Sequence, residues 1–351
     1  YTSTPRNRLK NFPASVQTTF VPAPVTLFHG ATYIHVPQVL NDIDCCVFDW
    51  LVAQRLRDED CVFGAASSSL HTGRAAKKAG GRFILDRACP DIRVQQQFVR
   101  EEARKLGAEF DSQAQWFVDR QVAEYEEADV ILSPSNYSRS SFPAHIQEKA
   151  ILVPLFGRAP SGEAAPIRND GTFTVGVVGG SPLRKGYLYL LQAWKKLALP
   201  NARLLIRSGG DLKKYPAIEK LLSELPNVTI VGYVPNLTDF YHQCDAFVLP
   251  SIDDGFGMAL FEALAHGLPC IATNHCGASE LLTPEKDALI VNPYSAEELA
   301  EGLTRLYESP DLRIRLGAQG RATVASMQDG ERARPYEEGM DRLFKRLAAT
   351  S

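Results

Sequence analysis

The chain has no run of eighteen apolar residues, so nothing in it reads as a membrane-spanning helix. Its first stretch, Tyr1 to Phe12, is polar and basic and lacks the apolar centre of a secretory signal. Tyr1 stands where an initiator methionine is usual, which leaves room for an upstream segment. Charge of one sign is not in excess. The 38 Lys and Arg against 41 Asp and Glu leave a formal net charge of -3, without the basic balance that draws proteins to nucleic acid or a like-charge tail. Cysteine is sparse: seven residues, an odd number without a repeating pattern. Cys45-Cys46 and Cys270…Cys276 lack zinc-site spacing, so no metal site is expected. We read them as buried, reduced thiols of a cytoplasmic protein. The Asn-x-Ser/Thr matches at Asn136, Asn227 and Asn236 then carry no glycan.

What is present is regular. At 351 residues the chain exceeds one ordinary core, so two domains are expected. From about 23 to 155, short apolar runs alternate with amphipathic stretches. Strands are expected at Val25–His29, Asp60–Phe63, Phe83–Leu85 and Val130–Leu132, the last closing the series. Helices are expected at Cys45–Leu56, Thr72–Ala79, Gln95–Leu106 and Gln115–Glu127. Gly64–Ser69 is a loop of small residues. Residues 157–171, with Gly157, Pro160, Ser161, Gly162 and Pro166, read as the linker.

A second series follows. Its strands are Thr172–Val178, Arg203–Arg207, Val228–Val231, Ala246–Leu249, Pro269–Ala272 and Ala288–Val291. Between them fall helices at Tyr187–Leu197, Tyr215–Leu225, Leu237–Cys244 and Phe256–His266. Ala296–Glu308 and Glu331–Ala348 come last. Such alternation implies parallel pairing, and the fold class is α/β with two doubly wound, Rossmann-like domains. The boundaries are 1–156 and 157–330.

Ligands of open α/β sheets bind beyond the carboxyl ends of the strands. The turn after Val178 reads Gly179-Gly180-Ser181-Pro182-Leu183-Arg184-Lys185-Gly186. Glycines admit a phosphate close to the backbone, the next helix offers free N–H groups, and Arg184 and Lys185 add positive charge. The set suits a pyrophosphate, and it also suits a tight turn with two solvated cations. The turn after Leu249 runs Pro250 to Glu262. Asp254 and Glu262 could face one cleft, where carboxylates accept from sugar hydroxyls. Gly255 and Gly257 would bare the backbone between them. On spacing alone, Asp254 as an N-cap and Glu262 as a solvated helix residue is the competing reading.

Val248 to Leu282, with Gly255-Phe256-Gly257, Glu262-Ala-Leu-Ala-His-Gly-Leu-Pro and Gly277-Ala-Ser-Glu280-Leu-Leu, resembles the family 4 retaining glycosyltransferases, glycosyl transferases group 1. Gly176 to Gly186 is similar to that family's phosphate-binding turn, and Asn227 to Asp245 to its base-binding loop. The resemblance covers roughly 172–325. It extends weakly to Glu124-Tyr-Glu-Glu-Ala-Asp129-Val-Ile-Leu-Ser-Pro-Ser135.

The resemblance implies the GT-B fold, two Rossmann-like domains facing across a cleft, with no metal or other cofactor required. It implies that Arg184 and Lys185 bind the pyrophosphate of a UDP- or GDP-sugar and that Glu262 holds the ribose. Asp254 and the Gly255-Phe256-Gly257 backbone would contact the sugar, beside Gly179 and Gly180. Tyr233 and Val234 would hold the base. Arg184, Lys185 and Asp254 form the expected catalytic set. Retention would follow from acceptor attack on the face the diphosphate leaves.

The chain departs from the family in carrying Asp254 where Glu is usual. The family's first strand and glycine loop do not show, and Arg87-Ala-Cys-Pro-Asp91 stands where a histidine is expected. His71, Arg87 and Asp91 are the acceptor candidates, for a saccharide, lipid-linked or small-molecule acceptor in the first domain. The last helix, 331–348, with an apolar stripe of Tyr336, Met340, Leu343, Phe344 and Leu347, is expected to pack back on that domain. A place in the core of the second domain is the alternative.

Competing functions are a GT-B sugar-nucleotide epimerase, a catalytically weak sugar-nucleotide-binding protein and, more distantly, a nicotinamide-dependent oxidoreductase. The last would want a clean G-x-G-x-x-G, absent after Val178, and an acid where Arg207 ends the next strand. Asp58-Glu59-Asp60 precedes a strand and reads as a solvated turn rather than a metal site. Arg6, Arg8, Lys10, Lys77 and Lys78 offer a peripheral contact to anionic lipid, against a solvated surface as the competing reading.

Overall fold

The computed structural model describes residues 38–57, 61–108, 113–155, 164–166, 171–232, 234, 236–327 and 334–348. The strand at Val25–His29, the Asp58–Asp60 turn, most of the linker, Tyr233 and the basic residues Arg6, Arg8 and Lys10 lie outside them.

Two parallel sheets organise the chain. The first has the order β1-β2-β3-β4, with β1 at Cys61–Ala65, β2 at Arg82–Asp86, β3 at Val130–Ser133 and β4 at Ala150–Leu152. Its helices are α1 (Gln38–Ala53), α2 (Leu70–Lys78), α3 (Ile92–Leu106), α4 (Gln115–Glu127), and the short α5 (Asn136–Ser140) and α6 (Ala144–Gln147). The series therefore closes at β4, not at the strand beginning with Val130. β4 spans only three residues, too few for a periodic signal.

The second sheet runs β10-β9-β8-β5-β6-β7. Its strands are β5 (Phe173–Val178), β6 (Ala202–Arg207), β7 (Val228–Val231), β8 (Ala246–Leu249), β9 (Cys270–Thr273) and β10 (Leu289–Val291). Around them lie α7 (Tyr187–Leu197), α8 (Pro216–Glu224), α9 (Leu237–Tyr241), α10 (Met258–Ala265), α11 (Ala296–Glu308) and α12 (Pro310–Ser326). The sequence pattern does not announce α12. The last helix, α13, is Arg334–Ala348.

Side-chain alternation divides the second core in two. Val175 and Val177 of β5 pack on one face with α7 and α11, while Val178, Phe247 and Leu249 pack on the other with α9 and α10. A sheet covered on both faces accounts for the nearly continuous apolar strands. The first sheet is covered by Tyr125, Ile92 and Val118 on one face. On the other, Leu343 of α13 packs on Ile84, Val130, Leu132 and Ile151, with Met340 and Leu347 beside it. α13 thus lies against the first sheet. Phe344, expected in the same stripe, is instead exposed.

The order of the second sheet reverses between β5 and β8, which are paired neighbours (Val175 opposite Ala246, Gly176 opposite Phe247). The crevice of an open sheet lies at such a switch point. The turns that follow these two strands are Gly179–Gly186 and Pro250–Gly257.

Candidate active site at the strand switch point

The two turns are pressed together. Gly186 has φ +61°, and a Cβ there would sit 1.9 Å from the carbonyl oxygen of Pro250, so only glycine fits. The carbonyl of Arg184 accepts from the amide of Ile252 at 2.9 Å. This contact carries two cations to two carboxylates. Arg184 Nε donates to Asp253 Oδ2 at 2.9 Å, and Lys185 Nζ pairs with Asp254 Oδ2. The aliphatic stem of Lys185 lies against the bare backbone of Gly179. Burial works against the Arg184 charge, but Asp253, Cys89 and Asp254 outweigh it and hold the guanidinium above its ordinary range.

Asp254 is therefore not the N-cap of the next helix. α10 starts at Met258, and Gly257, at φ +91°, occupies the cap position. Asp254 is fixed in a short parallel bridge to Cys276, its amide on the carbonyl of His275 and its own carbonyl accepting from Gly277. Among the described residues, no acceptor meets the amides of Phe256 and Gly257, which lie just before a helix N-terminus. The Phe256 ring itself is in the core against Phe261, so only its backbone is available.

Glu262 is not a solvated helix residue. Tyr241 of α9, almost fully buried, donates its hydroxyl to Glu262 Oε2 at 2.8 Å. Burial first, and then Glu262, raises the Tyr241 pKa, which keeps the hydroxyl protonated as a donor. The Tyr241 ring stacks on His266, whose Nδ1 meets the Glu262 carbonyl at 2.8 Å. Val234 is partly buried against the same core. Gly180 is open toward the crevice: a Cβ there would meet nothing within 4 Å.

The first half roofs this crevice with residues the sequence pattern did not single out. Gly255 has no room for a side chain, because a Cβ would lie 2.0 Å from the carbonyl oxygen of Ala88. Its own carbonyl accepts from Ser135 Oγ at 2.7 Å and Ser138 Oγ at 3.3 Å. Tyr137 donates to Asp253 Oδ1 at 3.1 Å, and Gln95 approaches Asp253 Oδ2 at 3.4 Å. Glu280 accepts the amides of Asn136, at 2.8 Å, and Tyr137, capping α5 from the other half. Ser135 and Glu280 stand within the family-like motifs, but nothing local in the sequence pairs them.

The three acceptor candidates part company. Arg87 is buried and lines a cavity of about 230 Å³ that also includes Arg184. Asp91 caps α3: its carboxylate accepts from the Arg93 amide at 2.8 Å and pairs with the Arg93 guanidinium, so its oxygens are spent on structure. His71 is exposed on the first turn of α2 and does not line that cavity. Its amide, with that of Thr72, donates to Asp49.

Asp49 belongs to a buried ionic trio. Arg120 bridges Asp49 and Glu124, at 2.7 Å to the latter. Glu124 accepts the amides of Ser67 at 2.7 Å and Ser69 at 2.9 Å. Burial raises the Glu124 pKa against the pull of those partners. The trio holds Ser67 at φ +84°, a strained conformation for a residue with a side chain, at the lip of the cavity.

Among the described residues no helix is long and apolar enough to cross a membrane. Residues 163–323 match the family described as Glycosyl transferases group 1. Among individual proteins, the chain is 29% identical over 160 residues to the capsular polysaccharide biosynthesis glycosyltransferase CapM of Staphylococcus aureus. That match covers 44% of this chain and 42% of the relative. The chain thus spans less than half the length of that relative.

In structure it is similar to sucrose-phosphate synthase from Thermosynechococcus elongatus, with a TM-score of 0.72 at 18% identity, covering 97% of this chain and 87% of the other. It is also similar to Anabaena HepE in complex with UDP-glucose, with a TM-score of 0.67 at 16% identity, covering 85% and 82%. These likenesses give the fold as GT-B.

Proposed function

We propose, from the match of residues 163–323 to the group 1 glycosyl transferases, that the protein moves a hexose-type sugar from a nucleoside-diphosphate sugar to a saccharide-type acceptor, with retention at the anomeric carbon. The observation that carries the reading is the meeting of two turns at the β5–β8 switch point, where Arg184 and Lys185 stand against Asp253 and Asp254 beneath a roof from the first half. Residues 157–330 act as the donor half and 1–156 as the acceptor half.

Departure of a nucleoside diphosphate concentrates negative charge on its phosphates. Arg184, Lys185 and the amide of Gly180 stabilise that charge, and the carboxylate pairings hold both cations in place before the donor arrives. Preorganised charge of this kind is commonly the largest catalytic contribution, and here it takes the part a metal ion plays elsewhere. Glu262, oriented by Tyr241, takes the ribose hydroxyls. Asp254 and the Gly255–Gly257 backbone take the sugar, and the loop at Tyr233 and Val234 takes the base. Because the HepE relative was solved with UDP-glucose, UDP is the first base to test, with GDP second. We assign the reaction to the cytoplasm, where activated sugars are made.

A thermal-shift series with UDP, GDP and ADP, without added metal, tests the reading. A ligand at a hundred times its dissociation constant adds roughly 2.7 kcal/mol of stability. The expected result is a shift with one diphosphate that is lost in Glu262→Ala. No shift with any diphosphate sinks the donor assignment.

A further inference from the structure

We propose that the cavity beside Arg184 is an acceptor subsite built for an uncharged polyhydroxyl group, a saccharide ring rather than a sugar phosphate. This rests on the donor reading above, because the subsite is placed by its position next to Arg184 on the donor turn.

Five carboxamides, of Gln38, Gln95, Gln96, Gln113 and Gln121, line the cavity, together with Ser67. Amides carry donor and acceptor on one planar group, the pattern that matches hydroxyls, which also do both. Two of the five are engaged within the wall: Gln121 Nε2 donates to Gln113 at 3.0 Å, and Gln121 Oε1 accepts from Ser67 Oγ at 3.0 Å. Gln96 is different. Its Oε1 is buried and has no hydrogen-bond partner. A buried acceptor without a donor is costly, so a group that donates a hydrogen bond is favoured to complete this wall. A sugar hydroxyl does, whereas an ionised phosphate or carboxylate offers only acceptors.

The charges point the same way. Two cations line the cavity, and both are committed. Arg87 gives Nε and Nη2 to the carbonyl of Pro90, at 3.0 and 2.7 Å, and Nη1 to Gln121 at 3.3 Å, with its guanidinium over the Tyr125 ring. Arg184 is paired with Asp253 and assigned to the donor phosphates. Among the described residues lining the cavity, a phosphate dianion would find one cation without a carboxylate partner, Arg87, most of whose N–H groups are already donated. At about 230 Å³ the space lies below the roughly 300–1,000 Å³ of pockets for drug-sized ligands and suits one ring.

The test is a calorimetric titration of the full chain, with and without saturating UDP, using glucose and fructose against glucose 6-phosphate and fructose 6-phosphate. At least one parent sugar should bind at least tenfold more tightly than its phosphate. Gln96→Leu should weaken that binding at least tenfold while the diphosphate thermal shift persists. Gln96→Met repeats the measurement should the leucine variant fail to fold. Tighter binding of the phosphates, binding of neither kind, or wild-type binding in both variants overturns the proposal. Loss of the diphosphate shift in the wild-type protein would instead indict the donor reading, and the titration without UDP still interrogates the cavity.

Discussion

The two halves handle charge in opposite ways. In the second half the ions that matter sit on consecutive residues of two turns, Arg184-Lys185 and Asp253-Asp254, all but the buried Asp253 partly exposed. In the first half the central charges, Asp49, Arg120 and Glu124, come from two helices, are almost fully buried, and are spent on holding the Ser67–Ser69 loop. One half carries its charges on two adjoining turns; the other uses them to shape a loop. The turns of the second half read from the sequence because their pattern is local. The first half does not, because its ionic trio is assembled from residues 71 and 22 positions apart.

The largest effect should come from the buried trio. Arg120→Met leaves two carboxylates buried without their cation, which costs about 3–5 kcal/mol. That corresponds to a fall of roughly 10 °C in Tm. An unchanged melting curve would mean that the trio is not the keystone of the first half. The turn after β5 should show its effect first in turnover. Arg184→Ala with Lys185→Ala should cut turnover at least tenfold, about 1.4 kcal/mol of barrier or more. It should also lower the melting point, because Asp253 is fully buried and loses its cation. Wild-type kinetics in that double variant would remove the assignment.

Gly255→Ala tests the seam between the halves. A methyl 2.0 Å from the Ala88 carbonyl forces them apart, an overpacking cost of about 1–3 kcal/mol. It should appear as lost turnover with diphosphate binding retained, measured by kinetics and thermal shift in parallel. The smallest effect belongs to Glu280→Gln, which weakens the cap on α5. About one kcal/mol or less of stability is expected, with a modest rise in the acceptor KM as the check.

The same contrast explains what could be read beforehand. α4, α7, β7, β8 and α11 lie where periodicity puts them, because each has a continuous apolar face and a clear stop. α12 escaped because it packs through glycines rather than large apolar residues. Gly317 lies against the Gly267 carbonyl and Gly320 against Leu264, and few large side chains on the helix are buried. The turns at Gly179 and Asp254 were legible as a pair, but their pairing partner by partner was not. Spacing alone left Asp254 open to an N-cap role that Gly257 in fact fills. Asp91 shows the converse: a polar residue in a suggestive stretch whose oxygens are taken by its own helix. Tyr137, Glu280 and Gln95 reach the site only across the seam, 116, 144 and 158 residues from their partners.

The packing of α13 on the first sheet has a mechanical consequence. The chain passes from one core to the other twice, once between Val153 and Leu155 and again between Met327 and Met340. A single tether would let two bodies swivel freely. Two tethers instead confine relative turning to the line that joins them, which keeps Gly255 opposite Ser135 across the seam.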